Sequence, residues 1–315
     1  MKSVAINQYG GTDVLHLIDL PTPSIKTNEI LVKVHATSVN PIDWKIRQGM
    51  LQLLTGYSFP MILGFDISGE VVEAGTAVTR FQPGDQIYAC FDNLTGGAYT
   101  EYAVLSEKAA CPKPEKLCHK EAAAVPLAGL TALQALRDEG KIKTGYSVLI
   151  NGASGGVGSL AVQIAKAFAT QVTGVCSGKN SEFVKQLGAD RVIDYTQQDF
   201  TKDTAKYDII FDVVGNQSFW NCQDCLQPNG VYITTQPYPV NFLESFVTAV
   251  LPGKKAKVVV VKSNGLDLKS LKELIEVQKV RPVIAQTYPL SAVAKAHQES
   301  QQGHVVGKLV IIVEN

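Results

Sequence analysis

A buried strand, a glycine-rich turn and an apolar helix follow one another between Tyr146 and Phe168, reading YSVLIN, GASGGVG and SLAVQIAKAF. Strand and helix then continue in alternation: QVTGVC, a helix over 181–187, RVIDY, YDIIFDVVG, a helix near 217–226, GVYITT and KVVVVK. Helical segments of this length are the crossovers that parallel strands need, so this part of the chain predicts a parallel sheet covered by helices on both faces. A doubly wound α/β domain is the fold class that follows.

The flanking sequence has a different texture. Stretches 2–7, 14–19, 29–40, 67–75, 85–90 and 98–105 are rich in β-branched and aromatic residues and are punctuated by PTP, AGT and PGD, the pattern of an antiparallel β domain. Beyond Lys262 an amphipathic helix over 268–280, a strand over 283–288, a helix over 291–301 and a last strand over 308–313 are expected. The C-terminus is therefore read as returning to the first domain. One domain comprises 1–122 and 281–315, and 123–280 is inserted into it.

Composition agrees with a folded two-lobed protein. At about 150 residues per domain, 315 residues make roughly two domains. Lys+Arg and Asp+Glu both number 29, which argues against a uniformly basic nucleic-acid binder. An apolar fraction of 45% with only 18% charged residues excludes disorder of the whole chain. MKSVAINQYGG lacks the apolar run of a signal peptide, and no stretch of about 18 apolar residues is present to cross a bilayer. A soluble cytoplasmic protein with no membrane or nucleic-acid partner is expected; an organelle matrix stays open if a transit peptide has been removed. Six scattered cysteines do not make a disulfide framework. Cys222 and Cys225 have metal-like spacing, but WNCQDCL reads as a helix with no second Cys or His pair nearby.

Ala153, Gly155 and Gly158 occupy the three positions of the G-x-G-x-x-G fingerprint, with Ala in place of the first Gly. Gly155 lets the backbone approach a pyrophosphate, Gly158 lets helix and strand pack closely, and the amides opening the helix face the negative charge. The same turn, Gly152 to Gly156, also matches G-x-S-x-G, the elbow that presents a nucleophilic serine, here Ser154, with Asp212 and His297 downstream. No HGGG-type segment precedes it, and Gly158 is explained only by nucleotide binding. NAD-binding versions place an acid about 20 residues past the glycines. Here that place reads Gly174-Val175-Cys176-Ser177-Gly178-Lys179-Asn180. Ser177 can donate a hydrogen bond and Lys179 a positive charge to a 2′-phosphate, so NADP(H) is favoured; solvated loop residues are the alternative.

Over essentially its whole length the chain resembles the medium-chain dehydrogenase/reductase superfamily, in its zinc-free quinone oxidoreductase and enone (alkenal) reductase branch. The matching segments are ILVKVHATSVNPIDWKIRQG, FQPGDQIYA, AAAVPLAGLTALQAL, VLINGASGGVGSLAVQIAKA, LGADRVIDY, FDVVG and GKLVI. The resemblance implies a GroES-like catalytic domain built from both chain ends around an inserted Rossmann domain. It implies nicotinamide near Asn40 and Thr131, Gly156 and Val157 on the pyrophosphate, Ser177, Lys179 and Tyr195 around the 2′-phosphate, and Gly215 beside the cofactor. Asn40 could instead be a turn former before Pro41, and Thr131 a helix-packing residue.

Alcohol dehydrogenases of the superfamily carry a zinc-ligating Cys in the segment that here reads SVNPIDW and a His in the Gly-His-Glu stretch that here reads Gly64-Phe65-Asp66. Neither ligand is present, and His16, His35, His119, His297 and His304 form no obvious cluster. Without a metal, the accessible chemistry is hydride delivery from NADPH to a quinone or to the β-carbon of an α,β-unsaturated carbonyl, charge moving onto an oxygen that hydrogen-bond donors stabilise. Tyr57 is the candidate side-chain donor, with water completing protonation, and Trp44 and Phe91 could flank a small apolar substrate. Tyr-x-x-x-Lys, the short-chain dehydrogenase pair, is absent. A non-enzymatic NADPH-binding protein of the same fold remains open at this point. The branch commonly forms homodimers through a Rossmann edge strand, which GVYITT or KVVVVK could supply.

Overall fold

A computed structural model describes residues 1–313. The chain divides into two compact units: Met1–Ala128 with Lys262–Glu276 and the stretch from Pro282 onward, and Gly129–Val261 with Val277–Arg281.

The first unit is β-rich. Its larger sheet has seven strands, in the spatial order Ile284–Pro289, Lys308–Ile312, Glu29–Val39, Asp66–Ala74, Gln86–Cys90 and Ala110–Pro112, with Tyr102–Ser106 also paired to Glu29–Val39. Glu29–Val39 is the spine, because Ile30, Val32, Val34 and Ala36 recur at period two and are all buried. A smaller sheet joins Lys2–Ile6 to Leu15–Asp19 and Met61–Ile62. The C-terminal strand lies antiparallel to the spine, Leu309 opposite Val39 and Ile312 opposite Ala36.

The second unit is a six-stranded, all-parallel sheet in the order Arg191–Asp194, Gln171–Cys176, Ser147–Asn151, Tyr207–Asp212, Leu226–Thr234 and Lys255–Val258. Its central strands are buried on both faces, as continuous apolar runs such as Val148-Leu149-Ile150 require. Because all six strands run the same way, the turns after Asn151, Cys176, Asp212 and Thr234 open on one edge, where ligands of this architecture bind.

Three expectations change. The helix Gly265–Glu276 belongs to the first unit and not to the 123–280 insertion, because Leu268, Leu271 and Ile275 form a buried stripe and Tyr88 donates to the Leu268 carbonyl. GVYITT is not an edge: its strand is paired on both sides, leaving Lys255–Val258 outermost. A twelve-residue helix, Pro239–Val250, occupies a segment in which no element was expected.

Candidate active site

The glycine turn is held by its neighbours. Gly152 has φ +88°, open to glycine and strained for other residues, and the Gly152 and Ala153 amides both donate to the Val175 carbonyl on the adjacent strand. The helix Gly156–Ala167 starts behind Gly155. A Cβ on Gly158 would lie 2.0 Å from the Gly152 carbonyl oxygen, so that glycine sets how closely helix and turn approach. At Gly155 a Cβ would meet only the Gly152 oxygen, at 3.6 Å, and the space in front of the turn is open. The Gly156, Val157 and Gly158 amides donate to no backbone acceptor among the described residues. Three amides at the mouth of a twelve-residue helix, beside a turn that Gly155 leaves open, fit a diphosphate.

Ser154 belongs to this cradle and not to a hydrolytic triad. Its hydroxyl accepts from Asn180 Nδ2 at 3.3 Å. His297 is buried in the first unit against Tyr99 and Arg47, and no histidine lies in the unit that carries Ser154.

At the end of the second strand, Ser177 precedes a single turn over Gly178–Asn180 with Lys179 exposed. The parallel register sets Cys176 against Asp194, and the Tyr195 amide donates to the Cys176 carbonyl, which brings Tyr195 alongside Ser177. The same register brings in a carboxylate that sequence reasoning missed. Asp194 takes hydrogen bonds from the Thr196 amide and hydroxyl and from Gly178, contacts that hold its carboxyl below the usual range. Lys179 has no hydrogen bond or ion pair among the described residues, so its charge is available at this corner.

Gly215, with φ +72°, lies in a loop fixed by Asp212, a fully buried carboxylate that the sequence offered only as a possible triad acid. Asp212 accepts from Asn151 Nδ2 (2.8 Å), the Gly215 amide (2.9 Å), the Gln217 amide (3.1 Å) and the Tyr232 hydroxyl (2.9 Å). Four donors on one carboxylate satisfy its lone pairs and clamp the loop at the ligand-binding edge.

In the first unit Asn40 caps the helix Pro41–Arg47, and its side chain is gripped at both ends. Its Nδ2 donates to Asp66 (2.8 Å) and its Oδ1 accepts from Lys308 Nζ (2.5 Å). Asp66 also receives the Ser38 hydroxyl (2.5 Å), the Leu127 amide (2.6 Å) and, at 3.4 Å, the Lys308 ammonium. The Asn40 amide donates to Asp43 at 2.7 Å. Asp43 in turn accepts from Tyr99 (2.8 Å), whose oxygen lies 3.1 Å from His297 Nε2, and Arg47 closes the chain on His297 Nδ1. Burial pushes the Asp43 carboxyl up to about 7 and the His297 imidazole down to about 3. Thr131, in the helix Pro126–Gln134, is buried and falls in the part of that helix that belongs to the second unit.

Tyr57 is 66% exposed and packs edge-on against Tyr9, which also bonds Thr55 and the Gly56 carbonyl. The loop is thus pinned through Tyr9, and the Tyr57 hydroxyl has no partner among the described residues. Phe91 is buried, and Trp44 is partly buried with its Nε1 unpartnered.

Comparison with known proteins assigns the family. Residues 26–115 match the alcohol dehydrogenase GroES-like domain, and residues 187–311 match a family described as zinc-binding dehydrogenase. The chloroplast envelope quinone oxidoreductase homolog of Arabidopsis thaliana is 37% identical, covering 99% of this chain and 98% of its own. The chain belongs to the medium-chain dehydrogenase/reductase superfamily. Within that superfamily it stands with the quinone oxidoreductases and is an oxidoreductase. The quinone oxidoreductase structure from Coxiella burnetii superposes with a TM-score of 0.92 at 35% identity, covering 100% of this chain and 99% of that one. The NADPH-dependent alkenal/one oxidoreductase of Arabidopsis chloroplasts is 36% identical over 99% of this chain and 79% of its own. The two units are accordingly the superfamily's GroES-like and Rossmann-like domains.

That second family description raises the question of zinc. In this medium-chain reductase the side chains do not suit it: SVNPIDW contains no Cys, Phe65 offers no ligand atom, and Asp66 already has three hydrogen-bond donors and the Lys308 ammonium as its countercharge. Among the described residues no three His, Cys, Asp or Glu side chains converge as a metal site.

Proposed function

We propose that this protein transfers hydride from NADPH to a quinone or to the β-carbon of an α,β-unsaturated carbonyl, and does so without zinc. The observation that carries the reading is the set of open amides at Gly156, Val157 and Gly158 on the ligand-binding edge of the parallel sheet. The names of the relatives supply the substrate class. NADPH, when bound, supplies the hydride. The chain's residues have separate tasks: the turn from Ala153 to Gly158 holds the diphosphate, Ser177, Lys179 and Tyr195 take the 2′-phosphate, the clamped Gly215 loop flanks the dinucleotide, and Asn40 and Thr131 border the nicotinamide. Tyr57, with its hydroxyl uncommitted, is the proposed hydrogen-bond donor to the oxygen that gains charge, and water provides the proton. The Lys255–Val258 edge is the surface through which two copies would pair.

The deciding measurement is NADPH consumption across a panel of quinones, enones and alkenals, with and without a chelator. Turnover indifferent to chelation is expected. Saturable NADPH binding with no turnover would favour a binding protein, and activity restored only by added zinc would overturn the metal-free reading.

Two predictions separate the parts of the cofactor site. Gly155→Ala is expected to leave stability unchanged but weaken NADPH binding by about tenfold or more, because its methyl group enters the diphosphate space. Gly158→Ala, forced against backbone, is expected to cost about 2 kcal/mol of stability as well. Lys179→Ala is expected to weaken NADPH about tenfold with little change for NADH, as the loss of one charge-assisted contact implies. Equal losses for both cofactors would remove Lys179 from the 2′-phosphate site.

A further inference from the structure

Ser177, Lys179 and Tyr195 come from two separate stretches of chain, the turn after the strand Gln171–Cys176 and the loop after the strand Arg191–Asp194. Both stretches lie past the ends of their strands, where the ladder no longer sets the spacing. The Tyr195 amide still reaches the Cys176 carbonyl, but among the described residues no backbone hydrogen bond joins the turn Gly178–Asn180 to the loop 195–198. A side chain has to set the distance between them.

Asp194 touches both. Its Oδ1 accepts from the Thr196 amide (3.0 Å) and the Thr196 hydroxyl (2.8 Å), and its carbonyl accepts from the Gln197 and Gln198 amides (3.0 and 2.9 Å), which folds the loop that carries Tyr195. Its Oδ2 packs on Gly178, whose amide donates to the carboxylate; a Cβ on Gly178 would lie 2.3 Å from that oxygen. From the other side, Asn180 Nδ2 ties the same turn to Ser154 in the glycine cradle.

An acid at this corner could also act in the opposite sense. It could repel a 2′-phosphate, or take the ribose 2′-hydroxyl and so favour NADH. A carboxylate has about four acceptor sites, and donors from Gly178 and Thr196 fill three of these. Its bonding is spent on backbone and on a neighbouring hydroxyl, while Lys179 stays uncommitted.

We propose that Asp194 is the positioning residue of the 2′-phosphate corner: by joining Gly178 to Thr196 it sets Ser177 and Lys179 beside Tyr195, and thereby makes the site select NADPH over NADH. This rests on the NADPH reading proposed above and adds the residue that makes the corner selective.

The test is fluorescence titration of NADPH and of NADH into wild type, Asp194→Ala, Asp194→Asn, Gly178→Ala and the Asp194→Ala/Gly178→Ala double variant, with circular dichroism as the check on folding. Asp194→Ala is expected to weaken NADPH about tenfold and NADH by less than about twofold, because only NADPH uses the contacts that the carboxylate sets. Asp194→Asn keeps one oxygen for Thr196 and is expected to weaken NADPH by about threefold. Gly178 has no positive φ, so alanine there acts only by pushing the carboxylate away. Gly178→Ala is expected to match Asp194→Ala in the wild-type background and to add nothing in the Asp194→Ala background.

Tighter NADPH binding by Asp194→Ala and Asp194→Asn would make the carboxylate a repelling charge and overturn the assignment. Equal losses for the two cofactors overturn it as well, leaving Asp194 a residue that only holds the fold, and so do losses at Gly178 and Asp194 that simply add. A wild-type preference for NADPH that survives every variant strikes Asp194 alone. Wild type that binds NADPH and NADH alike strikes the 2′-phosphate reading itself, and this inference with it.

Discussion

Replacing Lys308 by methionine is expected to lower the unfolding free energy by about 3–5 kcal/mol. Lys308 is 5% exposed and Asp66 is fully buried, so the ammonium is the countercharge of a carboxylate that water cannot reach. Its removal strands that carboxylate and also leaves Asn40 Oδ1 and the Val39 carbonyl without their donor. The loss comes chiefly from the abandoned charge and much less from the attraction that has vanished, which a second substitution can show. Adding Asp66→Asn to Lys308→Met removes the stranded charge and is expected to recover at least half of the stability. Recovery stays incomplete, because an amide offers one acceptor oxygen where Ser38, Asn40 and Leu127 supply three donors. The readout is the urea midpoint of the two single variants and the double. If the two single losses simply add, the residues are not acting as a buried pair.

The reach of the sequence is clear from the same residues. Signals that are local in the chain were legible: the glycine turn, the strands Ser147–Asn151, Gln171–Cys176 and Arg191–Asp194 and the period-two spine over Glu29–Val39 lie within a residue or two of where the pattern put them, whereas the GVYITT strand begins four residues earlier and the KVVVVK strand ends four residues sooner. Even the lack of a Cys in SVNPIDW and of a His at Phe65 could be read directly. Contacts set by the fold could not be read. Asp66 and Lys308 are 242 residues apart, and Tyr99 and His297 are 198 apart; only the antiparallel pairing of the C-terminal strand with the spine brings Lys308 to Asn40. Asp194 reaches the second-strand corner through parallel register with a neighbouring strand, which a count of residues past the glycines never samples. The helix over Pro239–Val250 escaped notice for a different reason. Its apolar stripe points outward, and the polar residues that would mark a solvent face are the ones buried.

The second large effect concerns pH, and it follows from two buried groups that pull against each other. Burial raises the Asp43 carboxyl to about 7, well above its ordinary value; hydrogen bonds from Asn40 and Tyr99 oppose the shift without cancelling it. A group whose folded pKa is raised contributes stability that is complete below its unfolded pKa, about 4, and is lost as pH climbs through about 7. His297 runs the other way. Burial, with the Arg47 charge beside it, lowers the imidazole to about 3, so its contribution is complete above about 6.5 and is lost as pH falls towards 3. Between about pH 4 and 6.5 the two slopes have opposite signs, and the wild-type profile is flattened over that window. Asp43→Asn should expose the histidine slope. An asparagine oxygen can still accept from Asn40 and Tyr99, and its amide group replaces an oxygen, Asp43 Oδ1, that already lacks a partner. Relative to wild type, the variant is expected to gain roughly 3 kcal/mol between pH 4.5 and 7.5, whatever its absolute offset. His297→Gln should do the reverse and become less stable as pH rises over the same interval. Urea titrations at several pH values decide the matter: if Asp43→Asn and wild type keep a constant difference across the window, Asp43 is ionised throughout and the opposing pair does not exist.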